Sequence, residues 1–385
     1  GGKVNVSDFL FELPSMLSDI TSANTTIFGT PAGLNMADLR GIGPERTLVL
    51  VNGRRFVPTF GGSLTLYGVD LNSIPASLVE RIEIINGGAA TSYGGEAVSG
   101  VVNFTLQDHL DGWSGAVQGG VTERGDREEI LATLTFGNEF SEGKGSVIAS
   151  LTIDDQSGLY MSDREVTSNP SGFALNGRRS FEEGAVFTRG FGGSSFVPEG
   201  HFQSVVLPGG DIASLSERYL FNEAGTAIEM HEGREDQIYN FANGHTLITP
   251  IDRVFATLNL NYDIAPGHKL IFENSLADTK VVSQLAPIPL SLGSGLTIED
   301  GKLVTVPLSN PFVPDDVRAL LAEEGLSGAE GLILSRRIVE LGPRRTHIAR
   351  RTIRSLIGFQ GMMAPGWSYD VYYQFGRNEV DEERD

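Results

Sequence analysis

The residues able to do acid–base, nucleophilic or metal chemistry are scattered along this chain. Six histidines stand at positions 109, 201, 231, 245, 268 and 347. They form no His-x-x-x-His pair and sit in no paired-carboxylate context, so no metal site is expected. The sequence has no cysteine, which removes thiolate ligands and disulfides together. Adjacent acids occur at Asp154-Asp155, Glu182-Glu183 and Asp315-Asp316; on a strand such neighbours point to opposite faces. No Gly-x-Ser-x-Gly elbow is present. Gly41-Ile42-Gly43 has the spacing of a phosphate cradle, but it precedes a strand where a cradle would open a helix after one. The expectation is no enzyme, no catalytic residue, no resident metal and no cofactor.

Charge and hydropathy narrow the remaining classes. The net charge of -20 argues against a nucleic-acid partner, which needs surplus Lys and Arg on one face. No run of about 18 apolar residues exists, so transmembrane helices are not expected. A membrane β-barrel stays open, because its strands alternate and its mean hydropathy remains near neutral, as here at -0.06. The chain opens at Gly1 without a basic and apolar leader, so any signal peptide lies outside this sequence.

The elements that must position these residues fall into two kinds. Up to Leu106 the pattern is that of a compact α+β unit. Ser7 reads as an N-cap for a helix within 5–17 whose apolar face is Phe9, Leu10, Leu13 and Leu17. Thr47 to Val51 reads as a buried strand and Asn52-Gly53 as a hairpin turn, since both residues accept positive φ. Asn72 or Ser73 would cap a short helix over Ile74 to Leu78. Two more β-rich runs follow, Arg81 to Ile85 and Val101 to Leu106.

Those motifs, read together, carry a resemblance. ADLRGIGPERTLVLVNGRR, followed by IPASLVERIEIINGGAATSYGGEAVSGVVNF, is similar to the plug domain of TonB-dependent outer-membrane receptors over roughly residues 4–106. Several spaced motifs recur in the family's order, which no single motif could establish. The sequence departs from the family at Asn86-Gly87-Gly88, where many members have Arg-Gly-Pro. The arginine that helps tie plug to barrel in those members is missing. The resemblance implies plug–barrel contacts at Arg40, Arg81 and Glu83, and leaves Asn86 in doubt. It also implies ligand contacts at the plug apex, with Arg46, Arg55, Phe56, Phe60 and Tyr67 as candidates in the loops 25–31, 42–46 and 54–67.

Downstream of residue 110 the grammar changes to long alternating strands. Val254, Ala256, Leu258, Leu260 and Tyr262 alternate with Thr257, Asn259, Asn261 and Asp263; Trp367, Tyr369, Val371, Tyr373 and Phe375 do the same against Ser368, Asp370, Gln374 and Gly376. Seven strands are expected near 113–122, 127–138, 145–156, 252–263, 268–281, 347–361 and 366–379. Their connections alternate between very short and very long, the latter near 157–251 and 282–346. Outer-membrane barrels follow that rule, with short periplasmic turns and long extracellular loops. Residues 314–324 within the second long segment read as a short helix with Val317, Leu320 and Leu321 on one face. Arginines at 336, 337, 344, 345, 350, 351 and 354 make a locally basic run, readable as an anion-attracting patch or as a solvated strand-and-loop face.

The expected fold is therefore an α+β plug domain (1–110) followed by antiparallel transmembrane β-barrel strands (111–385), with about seven strands and the barrel incomplete in this chain. The expected role is energy-coupled uptake of a scarce ligand such as a siderophore, cobalamin or an oligosaccharide at the outer membrane of a Gram-negative bacterium. The partners implied are the TonB-ExbB-ExbD energising complex, the extracellular ligand and outer-membrane lipid, with no nucleic acid. A passive porin-like or adhesive barrel, with the plug as a stopper only, is the alternative.

Overall fold

The computed structural model describes residues 6–17, 20–22, 32–61, 66–169, 172–174, 186–188, 193–232, 237–292 and 303–385. They divide into two compact units. The first combines residues 1–159, 246–283 and 345–385, and the second residues 160–245 and 284–344.

Within the first unit, the N-terminal part folds around a four-stranded mixed sheet. Its order is Arg54–Arg55, Thr47–Val51, Gly100–Leu106 and Val79–Asn86, with Thr47–Val51 parallel to Gly100–Leu106. Thr47–Val51 is apolar throughout because both of its faces are covered. Val49 and Val51 pack with Leu10, Leu39, Leu71, Leu78 and Phe104 on one side, while Leu48 and Leu50 pack with Ala89, Ala97 and Val101 on the other. Asn52 and Gly53 adopt φ of 52° and 76°, the conformation that a two-residue hairpin requires.

Two local readings are corrected. The N-terminal helix spans only Val6–Leu10, which places Ser7 inside it and leaves Phe9, Leu13 and Leu17 exposed. Pro14 explains the early stop, since it has no N–H to donate and disfavours helical geometry at Leu13. Met16–Leu17 then pairs with Asp38–Leu39 as a short ladder. The expected helix over 74–78 is replaced by two 3-10 turns, Leu71–Ser73 and Ala76–Leu78. Asp70, and neither Asn72 nor Ser73, caps the first by accepting from the Asn72 backbone N–H.

Seven strands follow as one continuous antiparallel sheet: Gly112–Val121, Glu128–Phe140, Gly145–Gln156, Ile251–Ala265, His268–Leu285, Arg344–Ala364 and Trp367–Arg384. The first and last each pair on one side only, so the sheet is open. Side chains alternate across it. Val117, Leu134, Leu151, Val254, Leu258, Ile357, Phe359, Val371 and Phe375 stand exposed on one face. The opposite face carries Thr135, Ser150, Thr152, Asp154, Arg253, Thr257, Asn259, Glu273 and Arg354, all buried. Apolar outside and polar inside inverts a soluble protein and is the arrangement of a membrane-barrel wall. Trp113 packs on Phe136 at 4.8 Å and Phe140 on Tyr262 at 5.9 Å near the short-turn ends of these strands.

The second unit is built from the two long connections. His201–Val206 pairs with Ile212–Phe221 on one side and with Gly331–Arg337 on the other, so strands from both connections share one sheet. Helix Asp315–Glu323 places Val317 and Leu321 in a core with Phe202, Val205, Leu215 and Leu332, whereas Leu320 is only partly buried. The basic run does not form a patch here. Arg336 pairs with Glu340, Arg337 donates to the Pro287 carbonyl at 2.7 Å, and Arg344 donates to that of Ala286 at 2.8 Å.

Candidate functional site: the plug face and its anchors on the wall

Strand alternation determines which wall side chains meet the plug. Glu273 faces inward, is 6% exposed, and accepts from three donors. These are Arg354 Nη1 at 2.7 Å, Asn52 Nδ2 at 2.9 Å and Arg54 Nη1 at 3.5 Å. Asn52 is thereby a pivot: its Oδ1 also accepts from the Leu106 backbone N–H, just before the chain leaves the plug for the first wall strand. Arg54 reaches a second wall carboxylate, Asp370, at 2.9 Å. Two guanidiniums and two carboxylates thus meet around one plug turn, which balances charge where an unpaired ion would be expensive.

A second anchor lies farther along the same wall. Arg253, held by Asp154 from the neighbouring strand, donates to Asn72 Oδ1 at 2.8 Å. Asn72 Oδ1 also accepts from Asn35, and Asn72 Nδ2 donates to the Gly33 carbonyl at 2.8 Å. Arg350, 4% exposed, donates to the Ala32 carbonyl at 2.7 Å. The buried Asp70 carboxyl beside them is pushed up by desolvation, against the pull of Arg350, the Asn72 and Asn35 backbone N–H groups and Arg253.

Between the anchors, plug residues 54–59 run along the strand Trp367–Arg384 in matched steps. Gln374 Nε2 donates to the Arg55 carbonyl at 3.0 Å, and Thr59 Oγ1 donates to Asn378 Oδ1 at 2.7 Å. Val57 fills the space over Gly376, where an added Cβ would lie 2.6 Å from Val57 Cγ2. This ladder carries the hairpin Thr59–Gly61/Leu66–Gly68 away from the short-turn end of the wall.

The hairpin gathers most of the expected ligand residues. Phe60, 69% exposed, and Tyr67 face one another at 5.1 Å with their planes 55° apart. Arg55 lies beside them and is paired with Glu96 while also donating to the Tyr93 carbonyl. The Tyr67 hydroxyl is pushed up by burial and by Glu96, against Arg55. Arg46 is exposed and paired with Glu45 at 2.6 Å. Phe56 is elsewhere: 6% exposed, in the plug core, with the Arg354 guanidinium 5.8 Å over its ring. The stretch 25–31 lies outside the described residues, as do 62–65.

The other expected contact residues sit on the plug sheet or next to it. Arg81 pairs with Glu83 at 3.1 Å and Glu83 accepts from Asn103 at 3.0 Å, all on plug strands. Arg40 has φ of 66° and places its guanidinium against Gly87, the residue after Asn86. Sequence reasoning did not single out Glu273, Arg253, Tyr93 or Glu96; it took Asn52 only as a turn residue and Arg54 only as the start of a candidate ligand loop. A usable signal existed for the wall pair, since Glu273 and Arg253 interrupt alternating strands at their polar positions. No spacing points to Tyr93 and Glu96.

Comparison with known proteins fits this geometry. Residues 2–101 match the family model of the TonB-dependent receptor plug domain. The vitamin B12 transporter BtuB of Vibrio cholerae is 38% identical over 92 residues, 24% of this chain and 14% of that protein. Residues 2–101 are thus a TonB-dependent receptor plug domain. A ferric enterobactin receptor of Pseudomonas aeruginosa is 46% identical to this chain over 75 residues, 17% of the chain and 10% of that protein. The crystal structure of the ferric enterobactin receptor PfeA aligns with 98% of the chain at 16% identity and a TM-score of 0.50, a likeness of fold. The alignment covers 39% of PfeA, so the chain spans well under half of that receptor's length.

Proposed function

We propose that the protein takes up a scarce ligand across the outer membrane in an energy-coupled cycle. Residues 1–110 act as the plug and 111–385 as part of the barrel, with segments 157–251 and 282–346 facing outside. The observation that carries this reading is the plug seated, through Glu273 and Arg253, on the polar inward face of a wall whose outward face is apolar. A plug held by a few buried ion pairs and hydrogen bonds, without disulfides, can be displaced by work and can return.

In this reading Arg46, Arg55, Phe60 and Tyr67 meet the ligand from outside, and Phe56 supports them from the core. Arg40, Arg81 and Glu83 face the part of the barrel wall not formed by these seven strands. The TonB-ExbB-ExbD complex supplies the work, and no catalytic step is involved. The test is accumulation of labelled candidate ligands (cobalamin, ferric siderophores, oligosaccharides) by cells carrying the receptor, with and without TonB. Uptake should require TonB. Equal accumulation in both strains would favour a passive barrel with a stopper.

A further inference from the structure

The hairpin end of the plug is chemically unusual for a receptor of charged ligands, because its cations are already matched. Arg55 is paired with Glu96 and Arg46 with Glu45, while Arg54 is turned away into the wall. Segments 23–31 and 62–65, which flank these elements in sequence, contain no charged residue. The chain as a whole carries a net charge of -20, and a field of that sign disfavours the approach of an anion. Nothing among these groups supplies the surplus positive charge that an anionic ferric chelate would need.

What the hairpin offers is an aromatic corner beside a polar group of mixed character. The tilted Phe60 and Tyr67 rings present π faces to which the C–H face of a saturated ring can pack. The neighbouring Arg55–Glu96 pair places donors and acceptors side by side. An alcohol both donates and accepts, so vicinal hydroxyls can satisfy such a pair, whereas an anion only accepts. The Tyr67 hydroxyl, neutral near pH 7 as tyrosines ordinarily are and pushed further up by burial and Glu96, adds a donor at the ring edge.

We infer that the ligand taken at the Phe60–Tyr67 hairpin is a neutral, hydroxyl-rich ring compound, an uncharged oligosaccharide. The inference rests on the uptake reading above and names its substrate class. The test is titration calorimetry on the purified receptor with malto-, xylo- and cello-oligosaccharides as neutral probes and ferric enterobactin and ferric citrate as anionic ones. At least one neutral series should bind, with an affinity nearly independent of salt. Phe60→Ala should weaken it about tenfold or more, and Phe60→Trp should retain it. Glu96→Gln should weaken the glycan and, by releasing Arg55, introduce salt-sensitive binding of ferric citrate. Phe60 is exposed, so its variants should melt as the parent does.

The inference is overturned if no neutral series binds, if Phe60→Ala leaves glycan affinity unchanged, or if the parent binds a ferric anion with an affinity that falls steeply with salt. A ferric anion imported only with TonB would overturn the ligand class and leave the uptake reading intact. Glycan binding with TonB-independent accumulation would do the reverse.

Discussion

Replacing Glu273 by Gln keeps the shape of the side chain and removes its charge. Arg354 then loses its carboxylate partner at 2.7 Å, and Arg54 keeps only Asp370 at 2.9 Å. Breaking a buried ion pair by removing one partner costs about 3–5 kcal/mol. The half-exposed Asp370 and the amide oxygen left to Asn52 bring the expectation to the low end, about 3 kcal/mol. That corresponds to roughly a hundredfold rise in the open population of the plug turn. Native-state hydrogen exchange of the purified receptor reads it directly, as faster exchange in 47–56 and 100–106. Asp278→Asn is the control, because its pair with Arg351 lies on the opposite, outward face of the wall, so exchange in 47–56 and 100–106 should stay near the parental rate. Glu273→Met with Arg354→Met should exchange more slowly than Glu273→Met alone, since removing both ions relieves the stranded charge. Exchange in Glu273→Gln within about twofold of the parent would refute the claim that this carboxylate anchors the plug.

Three further outcomes follow from the geometry. Gly376→Val should force Val57 off its seat and destabilise the plug by about 1–3 kcal/mol, seen as faster exchange in 54–60; no change would mean the ladder along that strand is not tightly packed. In the second unit, burial, Arg218 and His231 lower the His201 pKa from 6.5 to about 4. A base held neutral when folded gives stability that is complete above the unfolded pKa and declines as pH falls towards the folded one. Melting temperature should therefore drop between pH 6.5 and about 4, by up to about 3 kcal/mol in stability, and His201→Gln should flatten that slope. Phe202→Ala, which empties a fully buried position, should destabilise the second unit by about 3–5 kcal/mol, measured as loss of its protected amides with those of the wall unchanged.

The fold was legible where a period or a turn dipeptide was strong. Asn52-Gly53 marks its hairpin because few residues accept positive φ twice in succession. Alternation marks the wall strands because outward lipid-facing and inward polar residues differ at every step. At 344–364 and 367–384 the strands run beyond the apolar alternation, since their upper parts are polar on both faces. The sheet in the second unit was not legible. A bulge between Phe202 and Ser204 breaks the two-residue period, and the strand's partner lies in another long connection. Phe56, Phe60 and Tyr67 were expected together at the plug apex from the resemblance, but Phe56 lies in the plug core with the Arg354 guanidinium over its ring, because the loop's spacing does not say which of its aromatics turns inward. The anchors escaped for a different reason: alternation marks Glu273 and Arg253 as inward-facing, but the plug residues they meet are partners across space, which one-dimensional spacing does not record.

In the proposed uptake cycle the plug is held against this wall and must move for the ligand to pass. The absence of cysteine makes one measurement clean. A Cβ built on Gly376 lies 3.6 Å from Val57 Cβ, within the separation of a disulfide. The Val57→Cys/Gly376→Cys receptor should form that bond in cells, lose TonB-dependent uptake of its ligand, and recover it on reduction. A bond that forms fully while uptake continues at the parental rate would contradict the account.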